Sequence, residues 1–457
     1  MNSLSLAEPF GDQVNTDAFM QNFFYIMSST AVVLAVFGLV LIDAGLVRRV
    51  NALSTAIQKF IVFMVGTGAY MVAGFALWNY QYNQAFGVSN GFTQALKDWW
   101  FGGDLLGVFA QNVDPAVAPG LGNSQIFFVF LALYGGFVCT LVHTAASERI
   151  RSGPMYIIAA AIGGVIYPVT LWLTWGSTSP LTNRGVHDFV GGYSAYIFAA
   201  AFGLVLTMKL RPRLGYFATA SKAASWVPAN VTMALFGVFV LLFAAPLIVI
   251  GCGFIVPGDG YYGVSMTTSG LGLIYINVFV SFIVGGIVGG ALAYATRNPV
   301  HAILGPISGY VANTTGFDVF KPWETLIVAM VGPLVVFVAY NWVNKRQIDD
   351  GKVFPLGCAA LVGCLMVGLF AWGTPTGGYF GLEGEYGFQH AEITFWWQLI
   401  GILVTVAIGV LSALFLVLIL GTFMELRVSA HDEVEGTDAA RWTPRPASET
   451  LAQRPKR

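Results

Sequence analysis

Asp188 is followed by Gly191 and Gly192 and then by an apolar run from Tyr193 to Met208. A carboxylate before a buried helix can accept the free N–H groups of the first turn, and a glycine pair lets another helix approach closely. Capping alone accounts for these residue types, so function has to be sought in what the next turns carry. Proton transfer near neutral pH would fall to histidine. The five histidines are His143, His187, His301, His390 and His431; four sit near the ends of apolar runs or in loops, and His431 is in the C-terminal tail. Cys139, Cys252, Cys358 and Cys364 all fall in apolar runs without CxxC spacing, which reads as small core residues and not as metal ligands or a disulfide framework. No HExxH motif and no nucleophile–base spacing is present, so neither an enzyme nor a cofactor or metal centre is expected.

The elements that position these residues follow from composition. The chain has 457 residues, 56% hydrophobic and 10% charged, with 54 glycines. That is an all-α polytopic membrane protein, and a net charge of -1 gives no reason to expect nucleic-acid binding. Eleven apolar runs are candidate spans: 24–46, 60–78, 126–144, 156–175, 193–208, 231–254, 271–294, 302–312, 325–343, 356–372 and 395–422. The eighth is short and marked by Gly305, Pro306 and Gly309. With the N-terminus outside, only Lys97, Arg184 and Lys321 of the 22 Lys and Arg lie outside, and the rest, Lys59 among them, fall in cytoplasmic loops or the tail. That asymmetry requires an odd number of spans. Eleven spans divide as an inverted 5+5 repeat plus a long oblique eleventh helix, which places a site at mid-membrane where the halves meet. Pro168 should kink or open the fourth helix, and Gly285/Gly289 with Gly286/Gly290 give overlapping close-packing signals in the seventh. The organisation expected is an extracytoplasmic segment at 1–23, a membrane domain at 24–426 and a partly disordered cytoplasmic tail at 427–457, whose basic end would be drawn to lipid headgroups.

Five stretches then resemble one family. They are Gly45-Leu46-Val47-Arg48-Arg49-Val50-Asn51; Ser147-Glu148-Arg149-Ile150-Arg151; Asp188-Phe189-Val190-Gly191-Gly192; Gly309-Tyr310-Val311-Ala312-Asn313-Thr314 with Pro322-Trp323; and Leu426-Arg427-Val428-Ser429 running into Glu433–Asp438. In this order they are similar to the turns and signatures of the ammonium transporter (Amt/Mep/Rh) family over nearly the whole chain. The resemblance implies a homotrimer with one narrow pore per subunit, ammonium, ammonia or a small amine as solute, and a cytoplasmic surface able to dock a PII-type regulatory protein. It also implies that Asp188 organises a recruitment site, that Trp175 is the outer aromatic, and that Tyr134 stands where an outer gate Phe is usual.

The same resemblance places two facing histidines at the pore centre, and here those positions are Tyr196 and Gly357. Imidazole relays protons because it accepts on one nitrogen and donates from the other; a phenol titrating at about 10 cannot do so near neutrality, and glycine has no side chain. The pore centre is therefore expected to lack a proton relay and to be wider at Gly357. In the sixth helix two registers fit the family's second gate and its cation-binding Ser: Ile248 with Cys252, or Phe254 with Gly258. Either way the Ser hydroxyl is absent. Transport of ammonium, ammonia or a related small solute without the histidine relay is the leading expectation, and the alternative is an ammonium sensor signalling through a cytoplasmic partner.

Overall fold

A computed structural model describes residues 16–106, 121–217, 227–253, 255–256, 260–261, 271–379 and 381–442, with side chains from Asn22 onward except at 255–256 and 260–261. The described chain is helical apart from turns and two short antiparallel pairs, Ile255–Val256 with Gly260–Tyr261 and Pro375–Thr376 with Ala391–Glu392. Helix α1 spans Thr16–Leu46. Helices α2 (Ala52–Ala69) and α3 (Phe75–Ala85) are joined by a π-turn at Tyr70–Gly74. A short α4 (Gly91–Trp99) precedes α5 (Leu121–Ala146). Helices α6 (Ser152–Ala161) and α7 (Tyr167–Trp175) are joined by a second π-turn at Ile162–Ile166. A third π-turn, Gly192–Ile197, leads into α8 (Phe198–Leu210). Then come α9 (Val231–Gly251), α10 (Leu271–Thr296), α11 (Val300–Asn313), α12 (Pro322–Lys345), α13 (Val353–Phe370) and α14 (Phe395–Phe423). The tail folds as two single turns and more, α15 (Ala430–Glu435) and α16 (Thr437–Trp442).

Ten of these helical runs among the described residues are long and apolar enough to cross a membrane. Their outward faces are apolar as well: Phe239, Phe243, Ile287, Leu411 and Phe415 are all exposed. A helix that is apolar on every side is at home in lipid, not water. The run expected at 302–312 does form a helix, α11, but its 14 residues extend only about 21 Å, short of a bilayer core of about 30 Å. Two other expectations also shift. The helix expected from 356 begins at Val353, because the Asp350 carboxylate accepts the Phe354 N–H at 2.7 Å and starts the helix a turn earlier. Lys59, counted above among loop cations, lies inside α2 with its side chain fully buried.

Glycine sets the helix spacing where helices touch. A Cβ on Gly285 would lie 2.6 Å from the Gly305 carbonyl, and one on Gly289 2.5 Å from the Gly305 Cα, so α10 and α11 meet backbone to backbone. Gly286 and Gly290, the second pair of the spacing, face more open space, with no heavy atom within 4 Å of a Cβ on Gly290. Pro168 sits two residues after the end of the Ile162–Ile166 π-turn, as expected of a residue that cannot supply the N–H of a regular turn. The tightest approach joins α13 to α11: a Cβ on Gly363 would lie 1.8 Å from the Ala312 carbonyl oxygen. Gly363→Ala should therefore force the two backbones apart and cost about 1–3 kcal/mol or more, read as a lowered melting temperature of the purified protein. An unchanged melting temperature would show that this contact is not tight.

Candidate functional site

Two recesses lie along the interior of the helix cluster. The first, of about 90 Å³, is lined by Trp78, Phe127, Trp175, His187, Asp188, Cys252 and Thr376, among others. The second, also of about 90 Å³, is walled by Tyr134, Phe137, Tyr196, Ile248, Tyr310, Val353 and Leu356, with Asp43, Thr144 and Lys352 at one end. Ile248 faces the second recess and Cys252 the first, four residues apart at the end of α9, so a partition separates the two recesses there. A ladder of aromatic rings runs from the wall of the first recess to the walls of the second. Phe127 lies 6.0 Å from Phe130, Phe130 5.9 Å from Tyr134, Tyr134 5.5 Å from Phe137, and Phe137 6.4 Å from Tyr196.

Asp188 is built into the mouth of this partition. Its carboxylate accepts the N–H groups of Gly191 at 3.0 Å, Gly192 at 2.7 Å and Tyr193 at 3.2 Å, capping the π-turn that carries Tyr196. Gly191 adopts a φ of +82°, which an L side chain resists, so the glycine is what allows the chain to fold back over the carboxylate. Burial pushes the Asp188 carboxyl up to about 6 against those three N–H groups and His187. Its neighbour His187 is held at both ring nitrogens, Nδ1 2.9 Å from the Thr376 hydroxyl and Nε2 3.0 Å from Asp318. Burial works against its protonated form, but Asp318 and then Asp188 outweigh that and raise its pKa above the ordinary histidine value.

The remaining expected residues divide between the recesses. Trp175 lines the first, its ring 5.7 Å from Trp78 and 6.2 Å from Phe127. Cys252 lines the same recess and Ile248 the second; Phe254, the alternative in the other register, lies outside the described residues. Tyr134 lines the second recess and donates its hydroxyl proton to the Val190 carbonyl at 2.6 Å, tying the partition to the Asp188 loop. Tyr196 lines the second recess.

Gly357 does not behave as expected. It lines neither recess, and a Cβ there would lie 2.2 Å from the Ala200 Cβ and 3.2 Å from the Tyr196 carbonyl oxygen. The missing side chain leaves no widening, because α13 has closed onto α8 at that point. Val353 and Leu356 supply the recess wall on α13 instead. None of the five histidines lines the second recess; His143 is bound through Nε2 to Gln58 at 3.1 Å, and His301 packs between the Phe337 and Tyr340 rings.

Sequence reasoning passed over Tyr310 and the polar end of the second recess. There Asp43 pairs with buried Lys59 at 2.8 Å. A charged residue inside an apolar run, as Asp43 is, was the available signal. Beyond it lies a buried ionic network that ties the helix ends to the tail. Asp349 accepts two bonds from the Arg213 guanidinium at 2.7 Å and pairs with Arg149 at 3.0 Å. Glu148 accepts the Arg48 N–H at 2.7 Å, and Glu433 of the tail pairs with Arg427 at 2.8 Å and accepts the Leu214 N–H at 2.7 Å. Asp438 caps α2 through the Leu53 and Ser54 N–H groups, and the Trp442 indole donates to the Ser54 hydroxyl at 3.0 Å. Among the described residues no cluster of His, Cys, Asp and Glu is placed to hold a metal ion.

Residues 23–444 match the profile of the Ammonium Transporter Family. The chain is 23% identical to ammonium transporter Amt1 of Methanocaldococcus jannaschii over 428 residues, 92% of this chain and 94% of that one. It is 25% identical to an ammonium transporter of Bacillus subtilis over 408 residues, 88% of this chain and 92% of that one. In fold it is similar to a structure described as a sensor Amt protein, with a TM-score of 0.73 at 21% identity, covering 93% of this chain and 99% of that one. It is also similar to Mep2 of Candida albicans, with a TM-score of 0.69 at 18% identity, covering 90% and 87%. With a profile match that runs from the first long helix through the docked tail, the chain belongs to the ammonium transporter family.

Proposed function

We propose that this chain is a membrane channel that recruits ammonium at the Asp188 recess and passes ammonia through the second recess without an imidazole relay. The observation that carries the reading is the contrast between the two recesses. One presents a carboxylate and aromatic faces suited to a cation, Asp188 with Trp175 and Trp78; the other is walled mainly by aromatic and aliphatic groups and by no histidine. A charged ion is costly in such an interior, whereas neutral ammonia is not. The proton released at the recess has no imidazole to carry it inward, so the flux is electroneutral. The site residues of the reading are Asp188, Trp175, Cys252, Tyr134 and Tyr196, with Gly357 as a helix contact. The N-terminus lies outside and the C-terminus in the cytoplasm, the short α11 is the eighth of eleven crossings in an inverted 5+5 repeat plus a final helix, and the subunit works in a homotrimer. The docked tail and the described part of the neighbouring loop, residues 211–217, form the surface on which a PII-type regulator would act.

Proteoliposomes separate the outcomes. An ammonium gradient should produce rapid internal alkalinisation in a stopped-flow pH assay and no measurable current on a supported membrane. Sizeable current from the unmodified protein, or no alkalinisation above empty vesicles, would overturn the reading. Asp188→Asn provides the companion prediction: it removes the charge and keeps one acceptor oxygen, enough for the Gly191 and Gly192 N–H groups but not for that of Tyr193. A charge-assisted contact is worth about 1.5–3 kcal/mol, so the half-saturating ammonium concentration should rise roughly tenfold to a hundredfold, with a lowered melting temperature.

A further inference from the structure

The polar end of the second recess holds an arrangement that the proposed function does not use. The Lys59 side chain is fully buried, and its Nζ has three oxygen neighbours: an Asp43 carboxylate oxygen at 2.8 Å, the Thr140 carbonyl at 2.7 Å and the Thr144 hydroxyl at 2.8 Å. The Thr144 hydroxyl in turn donates to the same Asp43 oxygen at 2.8 Å. An alkylammonium has three N–H donors and no acceptor, so three oxygens at these distances satisfy it completely. The donors come from α2 and the acceptors from α1 and α5, so three helices converge on one nitrogen. Asp43 and Thr144 face the recess, whereas Lys59 does not, so the lysine reaches its acceptors from behind the wall.

We propose that Asp43, the Thr140 carbonyl and the Thr144 hydroxyl form a cation site of ammonium-binding chemistry at the end of the second recess, kept filled by the chain's own Lys59 ammonium. A buried ion pair also needs the remaining N–H groups of the ammonium satisfied, so the three oxygens alone do not set this place apart; what does is that Asp43 and Thr144 line the recess itself, where a solute meets them. The lysine neutralises the carboxylate that would otherwise draw free cations from the recess. Lys352, which lines the same end and lies 5.8 Å from the Tyr216 ring centroid, adds a further positive charge. Together they leave that end open to neutral solutes and unfavourable to free cations. This last consequence rests on the channel reading; the binding chemistry of the three oxygens does not, and it is tested without transport.

Lys59→Ala removes the tethered ammonium and leaves room for a free alkylammonium in place of its stem. Melting temperature is measured on the purified full chain in sodium, n-propylammonium and tetramethylammonium chloride at matched ionic strength. The expected result is a saturable rise of several degrees for Lys59→Ala with n-propylammonium only, no such rise for the unmodified protein, and none for Asp43→Asn/Lys59→Ala. If Lys59→Ala folds only when n-propylammonium is present during purification, the same conclusion holds. The proposal is overturned if Lys59→Ala shows no preference for the primary ammonium, if the double variant responds equally, or if Lys59→Ala fails to fold with and without the amine.

Discussion

Gly357→His should not restore a proton relay; it should destabilise the protein. The resemblance to the family makes this substitution, paired with Tyr196→His, the obvious way to rebuild facing imidazoles. The packing forbids it. A Cβ at 357 would lie 2.2 Å from the Ala200 Cβ, and alanine has no longer side chain that could swing aside. The backbones of α13 and α8 would have to separate. Overpacking costs about 1–3 kcal/mol when neighbours can adjust, and this site sits at or above the top of that range. Thermal unfolding should show a large fall for Gly357→His, alone or with Tyr196→His, and supported-membrane recordings should show no ammonium current from either. Leu356→His with Tyr196→His is the productive alternative, because both positions line the second recess. That pair should yield ammonium-dependent current that the unmodified protein lacks. Stable, current-carrying Gly357→His/Tyr196→His protein would sink the packing argument.

The same position shows how far the sequence could be read. The positions of the helices were legible because apolar length and the separation of basic residues are properties of the chain itself. Asp188 was legible as a cap because an acid before Gly191 and Gly192 has a local explanation, and its carboxylate does accept three successive N–H groups. Gly357 was misread because an absent side chain looks like space in one dimension, while in three dimensions a neighbouring helix takes the space. Lys59 was misread for a related reason. Counted by charge, it belonged to a loop; its partner Asp43 lies on another helix, and only their meeting makes a buried lysine tolerable. That α11 would be short was legible, because the apolar run at 302–312 is itself short and the helix exceeds it by only two residues at the start and one at the end. Tail docking through Asp438 and Glu433 is a contact between segments 384 and 219 residues apart, beyond any local pattern.

Asp349→Asn is expected to have the largest effect on stability. The carboxylate is buried between two guanidinium groups, with Arg213 bound by two 2.7 Å contacts and Arg149 at 3.0 Å. Neutralising it leaves both arginines buried without their shared counter-charge, a loss of about 3–5 kcal/mol. Burial by itself would raise the Asp349 pKa, but Arg213 and Arg149 overrule it and hold the carboxyl below the usual range. Its stabilisation is therefore present above the unfolded value of about 3.9 and is lost as pH falls through the folded one. Asp188 and His187 act in the opposite sense. Burial raises Asp188 to about 6, and the carboxylates beside His187 raise its pKa despite burial. Their contribution is greatest in acid, fades for Asp188 as pH rises from about 4 through 6, and fades for His187 above about 6.5. Stability against pH should thus show an acid limb set by Asp349 and a separate decline toward alkaline pH set by the Asp188 recess. In Asp349→Asn the acid limb should flatten while the decline above pH 4 persists. Thermal melts from pH 2.5 to 8.5 on the variant and on the unmodified protein measure both limbs. An acid limb of unchanged steepness in Asp349→Asn would overturn its assignment to this carboxylate.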